Sequence, residues 1–204
     1  MLCSHSEMKT MSTDKTPITV YAEATPNPES LKFVTNKLLV RAHSFDFDSL
    51  ENSKKSPLAT ELFEMGFVKR VFIANNFITI TKTEDKMWVE VIPALRKFIK
   101  DFLESGKRMF AEDISYEDSN YAVDDDDDEI VVKIKELLEQ NIKPAVEMDG
   151  GAIDFNSYEE GVVTLTMKGA CSGCPSATVT LKSGIEALLK RMVPQVTEVV
   201  AHEG

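Results

Sequence analysis

Lys168-Gly-Ala-Cys-Ser-Gly-Cys-Pro-Ser176 is the stretch on which the reading of this chain turns. It holds two of the three cysteines, Cys171 and Cys174, in a C-x-x-C spacing. A strand pattern leads in: Val162-Val-Thr-Leu-Thr-Met167 is rich in β-branched residues and partly alternates. A helix pattern leads out, with Leu181, Ile185, Leu188 and Met192 spaced along one face. Pro175 suits the first helical position, where its missing N–H costs nothing. Cys174 is then expected at or near the N-cap, where free amides and the helix dipole favour a thiolate. Gly169 and Gly173 let the backbone turn tightly around sulfur. This is the pattern of a metal or redox loop.

Working outward, the second half reads as a small domain of order α-β-β-α-β. Ile130, Ile134, Leu137, Leu138 and Ile142 mark an amphipathic helix expected to stop near Lys143-Pro144. Asp149-Gly-Gly151 reads as a tight turn rather than a phosphate loop, since no helix N-terminus follows it. Strands are expected at Ile153–Tyr158 and Val162–Met167, with Val196–Val200 closing the domain and His202 in a tail.

The first half has its own α+β pattern. A strand at Ile18–Ala22 precedes the turn Thr25-Pro-Asn-Pro-Glu-Ser30, and Leu31–Val34 and Leu38–Val40 are read as strands around a turn at Asn36. Ser56-Pro57 opens a helix that Gly66 ends. Phe67–Ile73 and Phe77–Thr81 form a hairpin about Ala74-Asn75-Asn76. A longer helix runs from Met87 to Ser105, with Pro93 marking a kink or its true start and Gly106 its end. Trp88 falls on the apolar stripe and is read as core, His43 as filler, and no catalytic constellation is found here.

Between the halves, Ser105 to Glu129 carries ten acids against Lys107 and Arg108, −8 of the whole chain's net −11. The run Asp124–Asp128 repels itself and reads as a solvated linker; a Ca²⁺ loop would need spaced acids and a turn glycine. The expected architecture is therefore two small α+β domains: a leader over 1–16, a first domain over 17–106, an acidic linker over 107–129 and a second domain over 130–204.

Composition bounds the rest. Apolar residues at 43% and charged residues at 28% describe an ordinary globular chain. The acidic balance argues against nucleic acid as a partner, and no apolar run is long enough to span a membrane. The first fifteen residues lack an apolar h-region and contain Glu7 and Asp14 but no Arg. On those grounds neither secretion nor a mitochondrial transit peptide is expected. With Cys3 the only other cysteine, a reducing, cytoplasmic location is expected.

Three chemistries fit the cysteine pair. A dithiol oxidoreductase would use one low-pKa thiolate to attack and the other to resolve; against it, no aromatic precedes Cys171 and the strand order is not read as a parallel βαβ unit. A structural zinc site wants four ligands, and this domain offers two thiols and His202. An iron–sulfur cluster normally takes four thiolates, two more than one chain's loop supplies; two chains supply all four.

The residues also resemble a known family. Asp149-Gly-Gly151, Gly169-Ala-Cys-Ser-Gly-Cys-Pro-Ser176, Thr180-Leu-Lys-Ser-Gly-Ile-Glu186 and Val193-Pro-Gln-Val196 resemble the NifU-like C-terminal domain of Nfu-type iron–sulfur cluster carriers. Thr25-Pro-Asn-Pro28 with Leu31-Lys-Phe33, Ser56-Pro-Leu-Ala59, and Phe77-Ile-Thr-Ile-Thr-Lys82 before Trp88 resemble the N-terminal domain that accompanies it. The resemblance implies a carrier, not an enzyme. It implies that Cys171 and Cys174 bind a cluster, typically [4Fe–4S], between two protomers. It further implies upstream scaffold proteins as donors and apo-proteins as recipients. Ala152 departs from it, standing where many relatives place an acid after the double glycine. The cysteine loop is expected to be partly exposed without a cluster, with Lys168 offsetting thiolate charge.

Overall fold

Two sheets with separate cores make up the protein. The computed structural model describes residues 16–41, 43–111, 127–172 and 175–204. Cys3, Gly173, Cys174 and the acidic stretch 112–126 lie outside them.

The first sheet has the order β1-β2-β5-β4-β3, all antiparallel: β1 Val20–Ala24, β2 Ser30–Thr35, β3 Ser44–Phe47, β4 Val68–Ala74 and β5 Phe77–Lys82. Helices α1 (Pro57–Phe63) and α2 (Trp88–Ser105) cover one face. Ser56 caps α1, its hydroxyl accepting from the Ala59 amide at 3.2 Å, and Pro57 sits in the first turn as expected. Along α2, Val91, Leu95, Ile99, Phe102 and Leu103 are buried at helical spacing. The helix begins at Trp88, so Pro93 lies inside it, and Gly106 ends it at φ +73°. The turn between β4 and β5 is Asn75-Asn76, with Asn75 at φ +43°, a conformation Asn tolerates better than most residues.

One expected strand is absent. Leu38–Val40 pairs with nothing; the amides of Leu39 and Val40 both donate to Asn75 O, at 2.7 and 3.1 Å, so their donors are spent on the hairpin turn. The sheet takes its edge instead from β3, whose Phe45-Asp46-Phe47 alternation is too short to stand out. Beyond α2 the chain turns back onto the first core, burying Phe110 and pairing the Ala111 amide with Lys55 O at 2.8 Å.

The second sheet is β6 (Gly151–Glu159), β7 (Val162–Gly169) and β8 (Glu198–Glu203), in that order. It follows α3 (Glu129–Leu137), a π turn (Leu138–Ile142) and α4 (Lys143–Met148), and α5 (Pro175–Met192) joins β7 to β8. The helical run therefore does not stop at Lys143-Pro144. Pro144 falls in the first turn of α4, where no amide is needed. β8 begins later than expected and takes in His202, which pairs with Thr166 rather than trailing as a tail. β7 and β8 are parallel, so β7-α5-β8 is a βαβ unit, contrary to the strand order read from the sequence. The pattern reveals strands but not their direction; the 18-residue helix between them carries the chain back to the starting end of β7.

The last two residues of the aspartate run are structural. Asp128 caps α3, accepting from the amides of Ile130 and Val131 at 2.9 and 2.8 Å. Asp127 pairs with the buried Lys135 ammonium at 2.6 Å.

Candidate functional site

The site lies where β7 ends and α5 begins. Gly169 leaves the strand at φ +64°, and the Ser172 amide bonds back to Gly169 O at 3.1 Å, closing a tight turn that carries Cys171. The Ser172 hydroxyl donates to Met167 O at 2.8 Å, and the Thr178 hydroxyl of α5 donates to Cys171 O at 3.0 Å. The loop is thus tied to the strand before it and the helix after it.

Its floor is the Asp149-Gly150-Gly151 turn, with Gly150 at φ +82° and its carbonyl accepting from the Ala170 amide at 3.2 Å. A methyl group placed on Gly151 would lie 2.5 Å from Cys171 Sγ and 2.7 Å from Lys168 O. Gly151 is glycine because sulfur occupies the space a side chain would take.

Cys171 is only 6% exposed and packs into the second core. For Cys171 this corrects the expectation of a partly exposed loop. Burial, and secondarily the Asp149 carboxylate, push its pKa up to about 12, so the neutral thiol is the resting form. Lys168 forms an ion pair with Asp154 on the sheet instead of facing the loop. Cys174 lies outside the described residues, so its expected place at the helix N-cap stays an expectation. Among the described residues no three His, Cys, Asp or Glu side chains come together as a metal site. The donor chemistry nonetheless suits a thiophilic metal: a soft sulfur ligand on a glycine-lined floor.

Side chains of the first domain also reach this loop, which the sequence reading missed. The Asn27 amide lies 3.4 Å from both Ala170 O and Ser172 O, the carbonyls on either side of Cys171. Asp46 accepts from the Gly169 amide at 2.8 Å and pairs with Arg70 at 2.8 Å. Burial pushes the Asp46 carboxyl above its ordinary range, against the opposing pull of Arg70, the Gly169 amide and Lys168. The Thr79 hydroxyl donates to Gly150 O at 2.6 Å, and the Lys32 ammonium to Met148 O at 3.2 Å. The available signal is the pair of polar residues Lys32 and Thr79 set between apolar neighbours, which alternation alone assigns to solvent.

A thiol loop on a three-stranded βαβ sheet, faced by a second α+β unit, defines a two-domain thiol-loop protein. Residues 20–106 match the family described as scaffold protein Nfu/NifU N terminal, and residues 134–200 match the NifU-like domain. The chain is 41% identical over 179 residues to "NifU-like protein 4, mitochondrial" of Arabidopsis thaliana, covering 87% of this chain and 63% of that protein. It is 38% identical over 178 residues to "NFU1 iron-sulfur cluster scaffold homolog, mitochondrial" of Homo sapiens, covering 87% of this chain and 69% of that one. The chain thus spans a little under two thirds of the Arabidopsis relative's length. The solution structure of a NifU-like protein from Saccharomyces cerevisiae overlaps 55% of this chain and 97% of its own, at 24% identity and a TM-score of 0.43. The chain belongs to the Nfu/NifU family.

The expected cytoplasmic location does not stand, because both named relatives are mitochondrial proteins. The composition of the first fifteen residues has no hold on that finding, since where a sequence starts does not define where a protein starts. No helix among the described residues is long and apolar enough to cross a membrane.

Proposed function

We propose that the protein binds an iron–sulfur cluster, of [4Fe–4S] type, through Cys171 and Cys174 from each of two protomers, and delivers it to apo-proteins. The observation that carries this reading is the ligand count at a built loop. The second domain has two cysteines, both in the β7–α5 connection, and Cys171 sits there on a glycine floor shaped around its sulfur. Membership of a family with a relative named as an iron–sulfur cluster scaffold points the same way. Four thiolates complete a cluster, and two chains provide them. A cargo held by only two ligands per chain is released by ligand exchange, one protomer's pair at a time. Such a protein works as a carrier taking clusters from upstream scaffolds, and not as an enzyme.

The residues of this chain have three tasks in that cycle. Cys171 gives up its proton when the loop leaves the core, because burial is what holds the thiol neutral. Gly151 leaves room for the sulfur, and Ser172 and Thr178 tie the loop to β7 and α5.

One observation favours dithiol exchange instead, namely the parallel β7-α5-β8 unit. The buried, neutral Cys171 weighs against it, since an attacking thiol needs a lowered pKa.

Anaerobic reconstitution tests the proposal. The expected result is one cluster's iron and sulfide per two chains, lost in Cys171→Ser and in Cys174→Ser and kept in Cys3→Ser. Sizing across a dilution series should show dimers with the cluster and mainly monomers without it. A cluster-loaded monomer with no external thiol, or full loading of the Cys174→Ser chain, refutes it.

A further inference from the structure

The first sheet has two faces, and only one carries its own helices. Phe33, Ile73, Ile78 and Ile80 pack with α1 and α2, while Val34, Phe72, Ala74 and Phe77 form a separate apolar cluster. Alternation along the strands sends the second set to the opposite face. Phe72 is nevertheless fully buried and Thr79 is 1% exposed, and Ala152 of the second domain packs against their cluster.

The contacts on this face fall mainly on the cysteine loop and the double-glycine turn beneath it. Asn27, Lys32 and Thr79 donate to carbonyls of Ala170, Ser172, Met148 and Gly150, and Asp46 accepts from the Gly169 amide. These are contacts to backbone, so they read the loop's shape. They also require glycine: a methyl group on Gly150 would lie 2.9 Å from Thr79 Oγ1, and one on Gly169 would lie 2.8 Å from the Phe72 ring.

We propose that the helix-free face of the first sheet is a seat for the cysteine loop of its own chain, and that the loop must leave this seat before two protomers can share a cluster. The second half of this statement rests on the cluster-sharing reading above. While seated, the loop has Cys171 buried and the backbone groups on both sides of it bonded to Asn27 and Asp46. Cys171 is then held in the core rather than presented to a second protomer. Seating and sharing are therefore competing states of one loop, and the first domain acts as an internal competitor of the dimer. Its occupant is a glycine-bearing turn recognised through main-chain groups.

The test uses the full chain with Cys3→Ser, so that only the loop thiols react, and two variants that weaken the seat from opposite sides. Asn27→Ala with Thr79→Val removes contacts from the first sheet. Ala152→Asp places a carboxylate against the Phe72 cluster from the second. Alkylation of the cysteine pair by iodoacetamide is followed without iron, and iron and sulfide uptake is timed in parallel. Both variants should alkylate roughly tenfold faster than the parent, the change produced when the seated state loses about 1.4 kcal/mol. Both should load faster to the same final content. Equal alkylation in all three chains, with thermal unfolding still cooperative, overturns the seat. Faster alkylation with unchanged uptake overturns its control of loading. Faster alkylation with no iron or sulfide bound by any chain leaves the seat standing and overturns the cluster reading beneath it.

Discussion

Cys171 behaves in this fold as a small apolar side chain with a proton to lose. Its thiol titrates near 9 in the open chain and is pushed up to about 12 by burial. A raised acid binds its proton more tightly when folded, so its contribution to stability is complete below pH 9 and fades as pH rises toward 12. The unfolding free energy should therefore fall across that window more steeply in the parent than in Cys171→Ala, measured by urea titration at stepped pH. A parallel fall in both chains would remove the assignment. Gly151→Ala belongs to the same neighbourhood. Its added methyl would sit 2.5 Å from sulfur, and relieving that overlap should cost about 1–3 kcal/mol in chemical denaturation. Gly184→Ala is the contrasting case: it lies within α5 with open space around it, and should stabilise by roughly 0.5–1 kcal/mol.

Among the elements, those whose ends carry chemical punctuation are legible in the sequence alone. Ser56-Pro57, Gly66, Gly106 and the paired asparagines at 75 and 76 each name a cap or turn by a local mechanism. Elements defined by distant partners are not. β3 is a four-residue edge, and Leu38–Val40 looks like a strand until its amides turn to Asn75. The direction of β8 depends on a helix packing elsewhere, which no local pattern encodes. The aspartate run shows the same limit, since a charge run reads as solvated until a buried lysine is found to need it. Asp127→Ala removes the carboxylate 2.6 Å from Lys135 and should destabilise the second domain by about 3 kcal/mol in thermal or urea unfolding. Asp128→Ala loses only the cap of α3 and should cost about 1 kcal/mol. If the two substitutions cost the same, the buried pair has been overvalued.

Apart from the small cluster of Phe72 and its neighbours against Ala152, the described residues form two hydrophobic cores that share no residue, one drawn from 18–110 and the other from 130–201. A fragment beginning just before Asp127, so that the pair with Lys135 is kept, should therefore fold and bind a cluster alone, read by circular dichroism and by iron and sulfide content. A fragment that is unfolded by circular dichroism would show that the first sheet supplies stability as well as a seat. The candidate loop is legible as a thiol loop because thiols, glycines and a proline sit together in nine residues. The seat is not, because Asn27 and Asp46 lie more than a hundred positions from the loop they bind. Each is unremarkable among its own neighbours.

The parallel pairing of β7 with β8 also has a consequence in time. Synthesis delivers Cys171 and Cys174 well before Glu198–Glu203, the strand that aligns with β7 over Val162–Met167. Parallel partners separated by a helix close late, since the intervening chain must be ordered first. A nascent chain thus shows its thiols to the surroundings before the sheet beneath them is complete.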